Sequence, residues 1–440
     1  MMRVLLAAHA SVGHSNALRS IGRALLAGGD AVAMAMPVTR TPPFLPVPEL
    51  AKTAAAIPSA VRADGMEIFP LSPSLVGLWH ALRISRARGI DELEHALGYF
   101  LAGAAPQARA IAAAATSFRA DLVVADYLLF AAMFGARLAR APYVSIYHSA
   151  LPFPVEGAPP MGSELGNDEP AGSPARHAAE RRLEILSARC DARLSAVARA
   201  LDVEPPPGGS LTRPSSTVLN VLTTVPELEP GLRPLDAPVL FAGPCIFGRG
   251  VESPNDPSLV VLRDDVTRVY VSMGTVFNDD PTVFETLLCA LDGPDLQVIV
   301  SAGASAERLQ RRIPTTNSRV FARVPQVALL ERVDLVVTHG GNNTVQETLA
   351  AGKPMLVVPF GGDQLANARR VERLGAGVAV LPARLDVDSV RTAFGRLRSD
   401  ATFRERARAC AAALAGVDGT MRAVDALRSL PRHSASARAP

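Results

Sequence analysis

The sequence predicts an α/β protein built from two doubly wound domains joined by a linker, and three observations carry that prediction. A β–α–β alternation opens at the third residue. It restarts, more cleanly, after the Pro- and Gly-containing stretch GRGVESPNDPS, Gly248 to Ser258. The strands of the second half are unbroken runs of Val, Leu and Ile, the pattern of a parallel sheet covered on both faces. At 440 residues the chain exceeds one hydrophobic core and fits two domains of about 200 residues each.

In the first half a strand at Arg3–Ala8 leads through a Gly-containing loop into a helix with Leu18, Ile21 and Leu25 on one face. A second strand follows at Ala31–Met36, completing a βαβ signal. Further strands are expected at Met66–Phe69, Leu122–Ala125 and Tyr143–Tyr147, with Ala-rich helical stretches such as ARAIAAAAT between them. Pro152–Pro174 predicts a long loop, and a helix around Ala178–Leu201 ends in the breaker cluster EPPPGGSLTRPSS. In the second half, strands at Val269–Met273, Leu296–Val300, Val320–Ala322, Leu335–Thr338, Met355–Val358 and Val378–Leu381 alternate with helices. The helix from Thr282 carries Val283, Phe284, Leu287, Leu288 and Leu291 at helical spacing. The expected division is a first domain at 1–247, a linker at 248–265, a second domain at 266–430 and a disordered tail at 431–440.

Composition excludes several function classes. Apolar residues make up 48%, so burial is not limiting, and 45 basic against 42 acidic residues leave a net charge of only +3. Nucleic-acid binding needs a concentrated basic face, so no nucleic-acid partner is expected. Cys190, Cys245, Cys289 and Cys410 are widely spaced, with no C-x-x-C or Cys/His ligand pattern, which suggests neither a zinc site nor a disulfide framework. The opening MMRVLLAAHA has an apolar core of about five residues, shorter than the roughly 7–15 of a secretory signal. LVVADYLLFAAMFGARLA is broken by Asp126 and Arg137, so no transmembrane segment is predicted. The expectation is a soluble cytoplasmic protein, monomeric or homodimeric.

Two turns carry the chemistry. In VDLVVTHGGNNTVQETLAAGKPMLVVP, Val333 to Pro359, an apolar strand ends on His339 and a helix opens just after Gly340, Gly341, Asn342, Asn343 and Thr344. Parallel sheets bind ligands at the carboxyl ends of their strands, and the first amides of a helix lack internal partners. Glycines let an anion approach that backbone, so the stretch describes a phosphate cradle; an ordinary β–α turn capped by Asn or Thr would use the same residues. No G-x-x-x-x-G-K-[ST] is present and GAGVAV lacks the third glycine of a dinucleotide site, which leaves an anion of another kind. The second turn, AAHASVGHSNALRSIGRALLAGG, follows the first strand and contains His9 and His14.

The stretch VPQVALLERVDLVVTHGGNNTVQETLAAGKPMLVVPFGGDQLANARRVERLGAGVAV, Val324 to Val380, closely resembles the donor-binding signature of the family 1 nucleotide-sugar glycosyltransferases. These are GT-B enzymes that include the antibiotic and macrolide glycosyltransferases and plant secondary-metabolite enzymes. V-P-Q, H-x-G-x-x-[ST], a Glu eight residues after the His and a late D-Q occur in the family's order, and weaker agreement reaches VYVSMGT and LFAGPCIF. The resemblance implies two Rossmann-like domains facing each other across a cleft, the first for the acceptor and the second for the nucleotide sugar. It implies that His339, Asn343 and Thr344, with Gly341, Asn342 and the helix amides, hold the diphosphate, and that Glu347 accepts from ribose hydroxyls. Val324 to Gln326 would face the nucleobase, Asp363 and Gln364 would bind sugar hydroxyls, and Ser272, Gly274 and Thr275 would complete the phosphate side. Asn343 departs from the usual bacterial GGxGT pattern by replacing its last glycine, as in the plant version.

In the family's G-H-x-x-P turn the His is the catalytic base. His14 matches it, Ala17 stands in place of the proline, and Asp126 matches the orienting aspartate. Taken singly, His14 could be a loop histidine capping the helix and Asp126 a helix N-cap. His9 is expected to be structural, and Trp79 and His148 are candidate acceptor contacts. Asp386 and Asp388 form a D-x-D, but precede a helix, where an aspartate serves as N-cap. The function implied is metal-independent, inverting transfer of a sugar from a UDP- or dTDP-sugar to a hydroxyl of a small apolar natural product, with no cofactor beyond that co-substrate. The alternatives are another GT-B enzyme (a lipid-linked sugar transferase or a nucleotide-sugar epimerase) and a non-catalytic homologue that activates a partner enzyme. The acceptor is expected on loops at Thr39–Ser59, Ser72–Arg88 and Leu151–Pro174.

Overall fold

The computed structural model describes residues 1–38, 48–84, 87–248, 261–274, 281–312 and 317–431, with the backbone alone at 48–55 and 304. It divides into two compact units. The first begins with β1 (Arg3–Ala7), α1 (Val12–Ala27), β2 (Ala31–Pro37), α2 (Pro48–Ala63), β3 (Glu67–Leu71), α3 (Leu75–Ile84), α4 (Gly89–Leu101) and α5 (Ala104–Phe118). It continues with β4 (Leu122–Asp126), α6 (Phe130–Leu138), β5 (Tyr143–Tyr147), α7 (Pro174–Ala200), β6 (Leu219–Leu222) and β7 (Val239–Phe241). Its seven strands are parallel in the order β3-β2-β1-β4-β5-β6-β7.

Alternation of side chains along these strands divides the core. Leu5, Ala7, Ala33, Ala35 and Val123 pack on one face with α5 residues such as Ala108 and Ile111. Val4, Leu6, Val32, Met34 and Val124 pack on the other with Leu18, Ile21 and Leu25 of α1. Both faces are therefore apolar, as the runs of Val, Leu and Ala require.

The second unit contains β8 (Thr267–Ser272), α8 (Pro281–Ala290), β9 (Leu296–Ser301), α9 (Ala306–Arg312), β10 (Ser318–Phe321), α10 (Gln326–Arg332) and β11 (Leu335–Thr338). After these come α11 (Asn342–Ala350), β12 (Met355–Val357), α12 (Gln364–Arg373), β13 (Gly377–Ala379), α13 (Val387–Ser399) and α14 (Ala401–Leu414). The strand order is β10-β9-β8-β11-β12-β13, again parallel. Val269, Val271, Val298, Val300, Leu335, Val337 and Leu356 form the core with Phe284, Leu287 and Leu288 of α8.

Every strand expected from sequence is present, and two more, β6 and β7, extend the first sheet. They are only four and three residues long, and β7, at the edge, is half-buried throughout, so neither leaves a long apolar run. Helices α2 and α3 occupy most of the described parts of 39–59 and 72–88, where loops were expected; 39–47 and 85–86 lie outside the described residues. Most of the expected linker (249–260) and the tail from 432 also lie outside them.

The domain boundaries differ from the sequence reading at two places. Pro226–Pro230 groups with the second unit, and the chain from Val417 returns to the first. The last helix, α15 (Gly419–Ser429), buries Ala423, Val424 and Leu427 in the cluster that holds Leu18, Ile21 and Leu25. Gly419 lets it approach closely, since a Cβ there would lie 2.1 Å from the Gly243 carbonyl oxygen. Arg428 Nε donates to Asp30 Oδ2 at 3.0 Å. An amphipathic terminal helix shows which face is apolar but not which sheet it covers, so 417–430 could not be assigned from sequence.

Leu427 is fully buried, and Leu427→Ala is expected to cost about 2–5 kcal/mol in urea unfolding followed by a probe in the first unit. A cost below about 1 kcal/mol would contradict this packing.

Candidate functional site

Each unit places its polar residues where the strand order reverses. At such a point the connections of two neighbouring strands diverge and leave a crevice beyond their carboxyl ends. In the first unit the diverging pair is β1 and β4. His14 lies in the first turn of α1, just after β1, and Asp126 is the last residue of β4. Ser11 caps α1 by accepting from the His14 amide at 3.4 Å.

Asp126 is fully buried. Oδ2 accepts from His14 Nδ1 at 2.6 Å, while Oδ1 accepts from His148 Nε2 and from the Leu128 amide, both at 3.0 Å. Burial alone would raise its pKa, but the His14 and His148 rings outweigh burial and hold the carboxyl well below its usual range. An ionised carboxylate only accepts hydrogen bonds, so His14 carries its proton on Nδ1 and leaves the Nε2 lone pair as the basic atom. The His14 side chain keeps 23% of its surface exposed, enough for a substrate to reach it. Asp126 is not a helix N-cap; Leu129 occupies that position on α6.

The other histidines separate by environment. His9 is buried, with Nε2 3.4 Å from the Leu128 carbonyl oxygen. Burial lowers its pKa to about 4 against the pull of Asp126, so it is neutral at pH 7. Phe100 packs on both rings, 4.8 Å from His9 and 5.5 Å from His14; nothing in the α4 sequence marked it. His148, a candidate acceptor contact, is instead 4% exposed with its ring nitrogen on Asp126. Trp79 is half exposed on α3, with Arg83 over its ring at 4.3 Å and His80 edge-on at 4.8 Å. Among the described residues, His14, Asp126 and His148 are the one group bringing three metal-type ligands together. The His14 and His148 ring nitrogens lie 2.6 and 3.0 Å from the Asp126 oxygens.

In the second unit the diverging pair is β8 and β11. His339 follows β11, and its amide donates to the carbonyl of the buried Ser272 at 3.3 Å. A Cβ on Gly274 or on Gly341 would lie 2.4 Å from His339 Nε2. The two glycines therefore admit the imidazole itself, a reason the sequence did not disclose. Gly340 has φ +87°, and a Cβ there would meet Val357 Cγ1 at 2.7 Å. Burial lowers the His339 pKa to about 4, opposed by Asp363 and the Ser272 carbonyl, so the ring is neutral at pH 7. Helix α11 begins directly after, with Gly341 as an N-cap that supplies no side-chain bond.

Several predicted ligand residues also hold the site together. Asn342 is buried, and its Oδ1 accepts from Arg370 at 2.8 Å; Arg370 in turn pairs with Glu229 at 2.5 Å. This anchors α11 to α12 and to Pro226–Pro230. Gln326 donates to Glu347 Oε2 at 2.6 Å and to Thr344 Oγ1 at 3.3 Å, and accepts from Tyr270 at 2.8 Å. Gln364 is buried and accepts from the Phe360 and Gly361 amides at 2.8 and 3.3 Å. Asn367, missed from sequence, donates to Gly340 O at 2.9 Å and to Asp363 at 3.2 Å. Asn343 and Val324 are half-buried, and Thr275 lies outside the described residues. Asp386 caps α13 by accepting from the Ser389 amide at 2.7 Å.

Residues 285–420 match the family described as erythromycin biosynthesis protein CIII-like, C-terminal domain. The chain also superposes on the spinosyn rhamnosyltransferase SpnG with a TM-score of 0.69 at 20% identity, covering 97% of this chain and 100% of the other. The fold is therefore GT-B, and the family match lies almost entirely within its second unit. SpnG has also been solved with spinosyn aglycone and with thymidine diphosphate. Among curated relatives, the uncharacterized UDP-glucosyltransferase YojK of Bacillus subtilis (strain 168) is 28% identical over 48% of this chain. This GT-B chain spans about half of YojK's length, 51%. The 4'-demethylrebeccamycin synthase of Lentzea aerocolonigenes is 28% identical over 75% of this chain and 79% of its own. No described helix is long and apolar enough to cross a membrane.

His9 and His339 stay neutral in the fold down to about pH 4, whereas unfolded histidines protonate near 6.5. Between these values the unfolded chain binds the extra proton, so stability falls as pH falls. Each unit is expected to lose about 1.4 kcal/mol per pH unit inside that window. Urea midpoints at pH 7, 6 and 5 check this, and a flat series would contradict it.

Proposed function

We propose that the chain is an inverting glycosyltransferase that moves a sugar from a UDP- or dTDP-sugar to a hydroxyl of a small apolar acceptor. The observation that carries the proposal is the 2.6 Å hydrogen bond from His14 Nδ1 to the buried Asp126, which reserves Nε2 for a substrate proton. His14 takes the proton of the acceptor hydroxyl as its oxygen bonds to the anomeric carbon. The bond from that carbon to the diphosphate oxygen breaks on the opposite face, inverting the configuration. Asp126 stabilises the imidazolium formed, as the third member of a triad does.

The departing diphosphate takes the bond's electron pair. The positive end of α11 and the N–H of the neutral His339 ring meet that charge, and in this proposal no metal is needed. Glu347, held by Gln326, faces the donor's ribose. The assignment of the donor class draws support from the relatives described as a UDP-glucosyltransferase and as binding thymidine diphosphate. An apolar acceptor is consistent with α3, where Leu75, Val76, Trp79 and Leu82 stand exposed.

Thermal unfolding with UDP, dTDP or GDP, each with and without magnesium, tests the donor site. One diphosphate is expected to stabilise by about 2.7 kcal/mol at a hundredfold excess over its Kd, equally without the metal. No stabilisation by any of them would overturn the donor reading. His14→Ala is expected to retain that stabilisation and lose about 10²–10⁴ in kcat. Steady turnover by this variant would remove His14 from the base role.

A further inference from the structure

Asp126 accepts hydrogen bonds from two imidazoles, and the proposed reaction uses only one of them. His148 follows β5, neighbour of β4 in the sheet, and is buried, with its side chain 4% exposed. Its Nε2 lies 3.0 Å from Asp126 Oδ1, the oxygen that also takes the Leu128 amide, whereas Oδ2 faces His14 at 2.6 Å. The two rings stand edge to face, their centroids 4.9 Å apart.

We propose that His148 is a positioning residue that fixes the Asp126 carboxylate and weakens its hold on the His14 proton. The Oδ1 side is anchored by two donors, so the carboxylate cannot rotate and Oδ2 stays aimed at Nδ1 of His14. An N–H on Oδ1 also draws charge away from Oδ2. The imidazolium of His14 is then stabilised less than it would be by a carboxylate with one donor fewer. A base must be neutral to accept a proton, so a carboxylate bonded to His14 alone would leave more of it protonated at neutral pH. His148 keeps the orienting effect of the aspartate and limits its effect on basicity.

The other titratable groups around the pair are His9, 5.5 Å from the His14 ring; Tyr99, whose ring is 5.8 Å from His9; and Tyr127, 5.9 Å from His148. His9 is neutral through the working range because burial lowers its pKa to about 4, and burial raises that of Tyr99. Neither changes charge between pH 5 and 8. Asp126 and its other partners therefore act directly on the His14 proton.

The chain holds eight histidines, few enough for nitrogen-15 NMR of histidine-labelled protein. In the unmodified protein His148 Nε2 is expected to carry a proton; an Nε2 without one would overturn the proposal without any substitution. His148→Phe keeps the ring and removes the donor. It is expected to move the His14 midpoint up by roughly half to one pH unit, and the acid limb of kcat/KM with it. His148→Gln, which restores an N–H, is expected to bring both back towards the wild type. An unchanged His14 midpoint in a Phe variant that unfolds like the wild type would overturn the role, and so would a Gln variant that behaves like Phe. The inference rests on His14 being the base, but the His148 proton and the His14 midpoint need neither donor nor acceptor. They therefore stand or fall separately from glycosyl transfer.

Discussion

Each sheet reverses its strand order at its centre, and the placement of every candidate side chain follows from that reversal. Connections after β1 and β4, or after β8 and β11, leave towards opposite faces of their sheet. The space beyond those strand ends is therefore closed by neither helical layer. Polar groups can gather there without being driven into the apolar faces, and helix N-termini converge on the same place. His14 and Asp126 occupy it in one unit; Ser272, Gly274 and His339 occupy it in the other.

Gathering polar groups at such a point requires that each be matched. A buried carboxylate without donors would take up a proton and cease to orient anything; Asp126 has His14, His148 and the Leu128 amide. A buried guanidinium needs a counter-charge, and Arg370 finds Glu229 while also holding Asn342. The Gln326, Glu347, Thr344 and Tyr270 side chains satisfy one another in the same way. Many side chains read from sequence as ligands are thus the framework of the site, with directions already fixed by one another. Preorganisation of this kind is what favours charge development at a reaction centre.

Much of this was legible in the sequence, for reasons visible in particular residues. Runs such as RVYVSM and LVVTH announce strands because both faces of a parallel sheet demand apolar side chains. His339 stood out because it ends such a run, whereas His14 and Asp126 were singled out by their match to the family's turn and aspartate. Other features depend on distances across the fold. Gly274 and Gly341 are 67 positions apart, and only the folded chain shows that the same imidazole edge excludes a Cβ from both. His148 was read as a candidate acceptor contact, since nothing local reveals that β5 carries it to Asp126. Phe100 and Asn367 lie inside ordinary amphipathic helices, whose pattern says that a face is covered and is silent about what covers it.

Helix α15 makes the first unit discontinuous in sequence: the chain leaves it, builds the second unit, and comes back to finish it. Recombination between relatives must respect that path. A single crossover placed in the region after Phe247 would import a foreign terminal helix along with a foreign second unit. Residues 423, 424 and 427 of the incoming chain would then have to fit Leu18, Ile21 and Leu25 of the resident one. A double crossover that ends before Val417 exchanges the second unit and leaves this seam native. The position of one short helix thus decides which chimeras inherit an intact first unit.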